Sequence, residues 1–499
     1  MNKQSAAQVW RNAQKAVLLG LLALLLSACG TFEVGIEPVA GAATDNDARS
    51  ETSITPTSVS PADDAQPTAT SPPTLANTAT AQAVAASQWS YQANDHSSSP
   101  AISADGRYVA FQSGASNLVP GDANKAGDIF VYDRKTRVME MISFAEDGSQ
   151  ANDTSGEPDI SADGRWVVFS TIATNLVAGD TNGLQDVFLR DRQTGRTTLV
   201  SAAVGGGAGN MMSMAPAISA DGRWVVFTSS ADNLLPEIDE HTGENIADTN
   251  GASDIFVFDR LGAKIRRISL SSEGKQSNHN SNSPRISADG RWVTFWSLAD
   301  NLAPGASRGI YLHDRSAGTT QWIADGLAPT ISADGRWIGF LPVLSDLVPD
   351  DVLYAALYER QTGEVTVIGG YANGGIQGWP SKAITFSVDG EWLAFRSTFN
   401  PPDGPIAGDS SDWGQQVWLR DQKTETLALV SRTPDGLPGN SISAAPSLCA
   451  EGRWIAFQSL ADNLVAGDDN GYMDIFVYDR ETGNSELVSC AAHPMEAEQ

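Results

Sequence analysis

The apolar residues of this chain fall in short, dense runs between polar turns, with no stripe at helical spacing. The unit that begins at Pro158 shows the pattern. "PDIS" predicts a short strand, "ADG" a tight hairpin turn, and "RWVVFST" a strand with apolar side chains on both faces, hence one covered on both sides. A long polar loop follows. "DVFLRDR" then predicts a third strand, "QTG" a second hairpin turn and "RTTLVS" a fourth strand. Four antiparallel strands with apolar residues on both sheet faces describe a blade packed between neighbours.

The unit repeats. "ISADGRWVVF" starts at Ile160 and returns almost unchanged at Ile218. Variants run "ISADGRYVAF" from Ile102, "ISADGRWVTF" from Ile286, "ISADGRWIGF" from Ile331, "FSVDGEWLAF" from Phe386 and "LCAEGRWIAF" from Leu448. The acidic turn residue recurs at Asp105, Asp163, Asp221, Asp289, Asp334, Asp389 and Glu451, in steps of 58, 58, 68, 45, 55 and 62 residues. A period of this size marks propellers or solenoids, and a solenoid of this period would more often carry helices. The pattern therefore predicts an all-β chain with a single seven-bladed β-propeller of four-stranded antiparallel blades over 91–499. The motif resembles the TolB-like propeller repeat, in which S-x-D-G leads into a (I/V)-A-F strand and then a D-I-(F/Y)-V-x-D strand. The resemblance covers about Ser97 to Ser489 and implies the propeller fold. TolB carries an α/β domain before its propeller; here a low-complexity segment stands in that place. A motif demanded in every blade is expected to serve the fold, with "DG" making the turn, Arg covering it, and the aromatic and apolar residues filling the space between blades.

Alternating strand direction puts the short "ADG" and "TG" hairpins on one face and the long loops on the other, where ligand sites are expected. Blade-to-blade connectors share Asn-x-x-Ser-x-x-Pro, at Asn94, Asn152, Asn210, Asn278 and Asn440 with Ser97, Ser155, Ser213, Ser281 and Ser443. These residue types bond local backbone in turns and predict a stiff connector. The loop before the third strand carries D-x-N-x-x-x-D in four blades: Asp122, Asn124 and Asp128; Asp180, Asn182 and Asp186; Asp248, Asn250 and Asp254; Asp468, Asn470 and Asp474. Two readings fit: a Ca²⁺ site using these oxygens with carbonyls and water, or an Asx turn whose final Asp locks the third strand. It is not an EF-hand loop, since the fifth-position ligand and distal Glu are missing. Ring closure makes blades 7, 1, 2 and 3 one continuous arc. Blades 4, 5 and 6 lose the pattern, and Tyr371, Trp379, Phe399 and Trp413 fall near one another on the same face. Aromatics there suit stacking on a sugar or gripping a peptide, or plugging degenerate loops.

The chain's start changes the picture of location. Lys3, Arg11 and Lys15 precede the apolar run 16–26, which is too short to span a bilayer. It ends in Leu26-Ser27-Ala28-Cys29-Gly30, which resembles the lipobox of bacterial lipoproteins. The resemblance implies a signal peptide at 1–28 and a lipid on Cys29 that holds the protein on the bilayer. Residues 29–90, rich in Thr, Pro, Ala and Ser, cannot bury enough apolar surface to fold and predict a disordered tether. An extracytoplasmic location follows, in the periplasm or at the cell surface. The formal net charge is −28, and removal of 1–28 with its three positive charges leaves −31. That excludes nucleic acid as a natural partner. With Cys29 lipidated, only Cys449 and Cys490 remain. They fall three strand positions apart in blade 7, and about 14 Å at the usual strand spacing is too far for a disulfide. Both are predicted to be free thiols. The blade order also lets the ring close by side-chain packing of blade 7 on blade 1.

No reaction is legible. The histidines, His96, His241, His279, His313 and His493, share no metal-ligand spacing, and no G-x-S-x-G, phosphate loop or H-E-x-x-H occurs. The expectation is a monomeric, membrane-anchored binding or scaffold protein for a protein, peptide or glycan, with no catalytic residue assigned. A polysaccharide lyase or hydrolase and a calcium-stabilised surface module are the alternatives. Some TolB-like propellers are lyases, but a lyase needs His, Lys or Arg converging on the central channel, and the repeats show no such enrichment.

Overall fold

A computed structural model describes residues 92–239, 243, 245–342, 352–372, 384–397 and 414–491. The predicted signal peptide, Cys29 and the whole tether lie outside them. The described residues form twenty-eight strands in seven antiparallel sheets of four, each sheet pairing its strands in chain order. This is the seven-bladed propeller expected. No described segment is a helix long and apolar enough to cross a membrane. The first strands of neighbouring blades touch around the ring, blade 7 touching blade 1, and so form its inner wall.

Blade 2 shows how the sequence makes a blade. Its strands are Ser155–Ile160, Trp166–Thr171, Asp186–Asp191 and Arg196–Leu199. The first begins three residues earlier than "PDIS" indicated, because the chain passes through a bulge at Glu157, held at φ 56°. Ser99, Ala215, Ser283, Ala328 and Ala445 repeat this conformation, each directly before a proline. The middle strands supply the core: Phe169 and Phe188 stack with ring centroids 6.0 Å apart, and Val167, Val187 and Leu189 are fully or almost fully buried. Blades 1, 3, 4 and 7 repeat the aromatic pair.

The "SADGR" turn is a hydrogen-bonded knot. Ser161 Oγ donates to Asp163 and accepts from the Trp166 N–H, while Asp163 accepts from the Arg165 N–H. Cys449 takes the serine's place in blade 7, its sulfur accepting from the Trp454 N–H. The arginine does more than cover the turn. Arg165 Nε and Nη2 donate at 2.8 and 2.7 Å to both oxygens of Asp191, the last residue of the third strand. Arg223 on Asp259 and Arg291 on Asp314 repeat the fork and hold those carboxyls below the usual range. The next arginine along reaches across the joint: Arg260 of blade 3 lies 3.8 Å from the Trp166 ring centroid, on a ring whose own Arg165 is 4.8 Å away. The aromatics of blades 1, 2, 3, 4 and 7 are each gripped in this way by two guanidinium groups, one from the following blade, while Trp337 and Trp392 carry one each; each contact is worth about 0.5–2 kcal/mol.

A circle of backbone bonds joins the turns. Ala104 donates to Ala162, Ala162 to Ala220, Ala220 to Ala288, Ala288 to Ala333, Val388 to Ala450, and Ala450 back to Ala104, at 2.8–3.2 Å. Among the described residues the circle lacks one link, Ala333 to Val388, between blades 5 and 6. At the same joint Gln422 replaces the arginine that would cover Trp337, and within blade 6 Glu391 replaces the arginine of the turn beside Trp392.

Ring closure corrects the expectation of side-chain packing alone. No strand is exchanged, and blade 7 keeps its own fourth strand, Asn484–Leu487. Yet the Ala93 N–H bonds the Ser489 carbonyl, the Ser97 N–H bonds that of Met473, and Gln92 bridges Cys490. Arg134 also pairs with Glu486 and stacks on Trp454. The connectors into blades 2, 3, 4 and 7 are bonded to the preceding blade by the same pair of backbone bonds, so the closure follows the repeat. Cys449 and Cys490 are free, as their strand positions indicated.

One buried group makes the fold sensitive to acid. His313 sits on the third strand of blade 4, Gly309–Asp314, with Nδ1 2.9 Å from Thr320 Oγ1. Burial, then nearby Arg315, pulls its pKa down to about 4. The unfolded chain binds this proton near pH 6.5, so stability is present above that pH and falls as pH drops toward 4. His313 is expected to account for about 2–3 kcal/mol of the loss between pH 7 and 4.5. Urea melts at the two pH values check this: His313→Gln should show a smaller loss than the unmutated protein, and an equal loss rules the histidine out.

Candidate functional site

The long-loop face is built from connectors and second loops stiffened as their residue types indicated. Asn152 takes the Thr174 N–H on Oδ1 and bonds Thr174 Oγ1 through Nδ2, while its own N–H bonds Asn175 Oδ1. Ser155 Oγ then donates to Thr171 Oγ1. The connector asparagine and serine are therefore engaged in structure, and the same bonds recur at Asn94, Asn210 and Asn440.

The structure places the D-x-N-x-x-x-D residues together in all four blades. In blade 2, Asn182 Oδ1 accepts from the Leu184 N–H, and Nδ2 donates to Asp186 Oδ2 at 2.7 Å and to the Gly209 carbonyl at 2.8 Å. Asp186, fully buried, takes Ser201 Oγ at 2.7 Å on its other oxygen. Asn124, Asn250 and Asn470 repeat the bond to Asp128, Asp254 and Asp474. The asparagine and final aspartate thus fasten the loop to the blade, and the amide turns its nitrogen toward the carboxylate. The first aspartate is different. Asp180 is 3% exposed, and neither carboxylate oxygen is paired with a side chain, the Asn182 N–H being turned toward the group. Burial, and then the charge of Asp186, push its pKa up to about 6. Asp122 and Asp468 are raised to the same value, for the same first two reasons with Asp128 and Asp474 as the neighbours. Among the described residues no three His, Cys, Asp or Glu converge as a metal cluster.

The aromatic set is not brought together by what is described. Tyr371 lies in the strand Glu364–Ala372, its backbone opposite Leu353. Its side chain, and Trp379, Phe399 and Trp413, lie outside the described residues. Apolar residues that the sequence reading did not single out appear instead at the mouth of the ring. Ile172 and Leu298 follow the second strands of blades 2 and 4, and Met212 and Ile442 precede the first strands of blades 3 and 7. Their exposures are 41, 41, 40 and 38%. Each sits where the inner pair of strands opens onto the long-loop face, as the Ile172–Thr154 and Leu298–Asn280 backbone bonds show. The repeat hid them, because the sites are one residue outside the strands and otherwise vary between polar and apolar. A further residue unmarked in the sequence reading is Arg285. It is the one Lys or Arg among the described inner-strand residues, and burial lowers its pKa against the charges of Asp159 and Glu157.

No family model and no curated protein matches the chain. Solved structures do. TolB from Acinetobacter baumannii is similar at 15% identity over 67% of this chain, with a TM-score of 0.38, and the chain spans 62% of that protein's length. An oligogalacturonate lyase from Vibrio parahaemolyticus is similar at 12% identity, covering 78% of this chain and 90% of the lyase, TM-score 0.47. The propeller domain of the trilobed protease from Pyrococcus furiosus is similar at 12% identity, covering 82% of this chain and all of that domain, TM-score 0.48. None of the three exceeds 15% identity, and the activity is left to the residues of this chain.

Proposed function

We propose that this protein is an extracytoplasmic, lipid-anchored binding protein whose propeller offers its long-loop face to a protein or peptide partner. The apolar rim of Ile172, Met212, Leu298 and Ile442 carries the reading. Four large apolar side chains at the mouth of one channel are unusual on a surface whose charge is otherwise so strongly acidic. On the opposite face Leu261 and Val388 are exposed singly, in different blades, and the hairpins between first and second strands are engaged in the Ser–Asp–Arg knots. A partner with apolar side chains among basic ones complements both features. The anchor on Cys29 and the tether 29–90 hold the face away from the bilayer and free to turn. Capture of a partner as such proves little, so the test uses paired variants. The double variant Ile172→Asp, Leu298→Asp is expected to lose at least tenfold in affinity for the partner that the unmutated protein retains from envelope extracts. Its melting temperature should not move, because both side chains are already exposed. Unchanged retention by the double variant would move the site away from the rim.

A further inference from the structure

We infer that the carboxylates of Asp180 and Asp186 in blade 2 bind a divalent cation, with Ca²⁺ the chemical match, and that Arg267 fills the same place in blade 3. This goes beyond the partner-binding reading and stands without it.

Blade 3 shows what two such carboxylates require. Asp248 and Asp254 face Arg267, whose Nη2 lies 3.5 Å from Asp248 Oδ2 and whose Nε lies 3.7 Å from Asp254 Oδ2. The Gln276 amide adds hydrogen bonds of 2.6 Å to Asp248 and 3.1 Å to Asp254. Arg267 is 8% exposed, so a full positive charge has been buried at this spot. The sheet register identifies the matching residues in blade 2. Arg267 pairs with Phe256, and Leu199 pairs with the corresponding Phe188. Gln276 bridges Leu270, and Ala208 bridges the corresponding Ala202. Blade 2 therefore keeps both acids and replaces both of their partners with apolar side chains.

The consequence is visible at Asp180, where both carboxylate oxygens are buried with no side-chain or charged partner beside a second buried carboxylate. A buried charge is tolerated when it is paired or coordinates a metal. Leu199 offers no charge, and the two acids together call for two positive charges. Asp180 supplies two oxygens without side-chain partners, and Asp186 Oδ2 shares its position only with the Asn182 amide. Backbone carbonyls of the loop and water complete the six to eight oxygens that Ca²⁺ takes, whereas Mg²⁺ resists an irregular loop. Two carboxylates place the affinity in the class of extracellular modules, with Kd about 10⁻⁴–10⁻³ M. Blade 1 keeps the acids with Met141 in the place of Arg267, and blade 7 with Leu487. Asp122 Oδ1 is likewise buried and unpartnered.

The full chain, stripped with chelator, is titrated with CaCl₂ and separately with MgCl₂ by calorimetry, and melted in millimolar Ca²⁺ and in chelator. Ca²⁺ is expected to raise the melting temperature, and Mg²⁺ to raise it less. Leu199→Arg copies blade 3: it should lower the Ca²⁺ stoichiometry by one site and reduce the calcium shift while keeping the protein folded in chelator. Asp180→Asn should lose the same site. If Asp180 is instead held as a neutral acid with no metal, the asparagine is a close mimic, and Ca²⁺ affects it as it affects the unmutated chain. No calcium shift in the unmutated protein overturns the inference. So does a shift and stoichiometry that Leu199→Arg and Asp180→Asn both leave intact.

Discussion

Gly222→Ala lowers the stability of the propeller by about 3–4 kcal/mol, and adding Trp166→Ala to it costs less than Trp166→Ala alone. Two effects act at Gly222. Its φ of +66° disfavours any side chain, by about 1–2 kcal/mol. A Cβ there would also stand far inside van der Waals contact with the Trp166 ring of the preceding blade. The ring cannot step aside, because the Arg260 guanidinium lies over it at 3.8 Å and Arg165 at 4.8 Å. Overpacking a fixed neighbour adds about 1–3 kcal/mol. Trp166→Ala alone should cost about 3–5 kcal/mol, by emptying the space between two guanidinium groups and a glycine. In the double variant the collision has no partner, so the two costs should fall short of their sum by about 1–2 kcal/mol. Denaturant melts of the two single variants and the double complete the cycle. Additivity within about 0.5 kcal/mol would mean that glycine serves only the turn and not the joint.

Cys29→Ala is expected to move the protein out of the membrane fraction entirely, or to leave its signal peptide uncut. A single acyl chain binds membranes only weakly and two are needed for stable anchoring, so if Cys29 carries the lipid, as its lipobox-like surroundings imply, its loss removes the anchor. Nor can the acidic propeller substitute by adhering to anionic lipid. Fractionation with a labelled fatty acid decides the matter, and label in the alanine variant would place the lipid elsewhere.

The fold was open to reading because every blade has to bury the same two faces. Phe169, Phe188 and Val167 are written seven times over in slightly different letters, and the turn that precedes them varies even less. Register and strand order followed from that repetition. What it could not convey was pairing across variable loops. Arg165 and Asp191 are twenty-six residues apart, yet in blade 4 the same pair, Arg291 and Asp314, is only twenty-three apart. Without a fixed interval there is no spacing to read. The clasp of Arg260 on Trp166 is hidden more deeply, since it joins different repeats. On the long-loop face the D-x-N-x-x-x-D interval was plain, but the direction in which Asn182 turns its amide belongs to three dimensions. The exchange of Arg267 for Leu199 lies in the outermost strand, the least regular of the four, where a single letter carries little weight until its neighbours are known.

The missing link between Ala333 and Val388 leaves one joint less fastened than the others among the described residues. A propeller whose two chain ends meet at a joint would be expected to fray there, since no peptide bond crosses it. Here that joint has the turn bond, the Arg134–Trp454 stack and the backbone bonds of Ala93 and Ser97, whereas among the described residues the joint between blades 5 and 6 lacks the turn bond and keeps only Arg336 over Trp337. The less fastened of the two joints is therefore one the polypeptide itself bridges. The two sides cannot diffuse apart, and reclosure is an intramolecular event at high effective concentration. The ring carries its hinge inside the chain and its latch at the chain's ends.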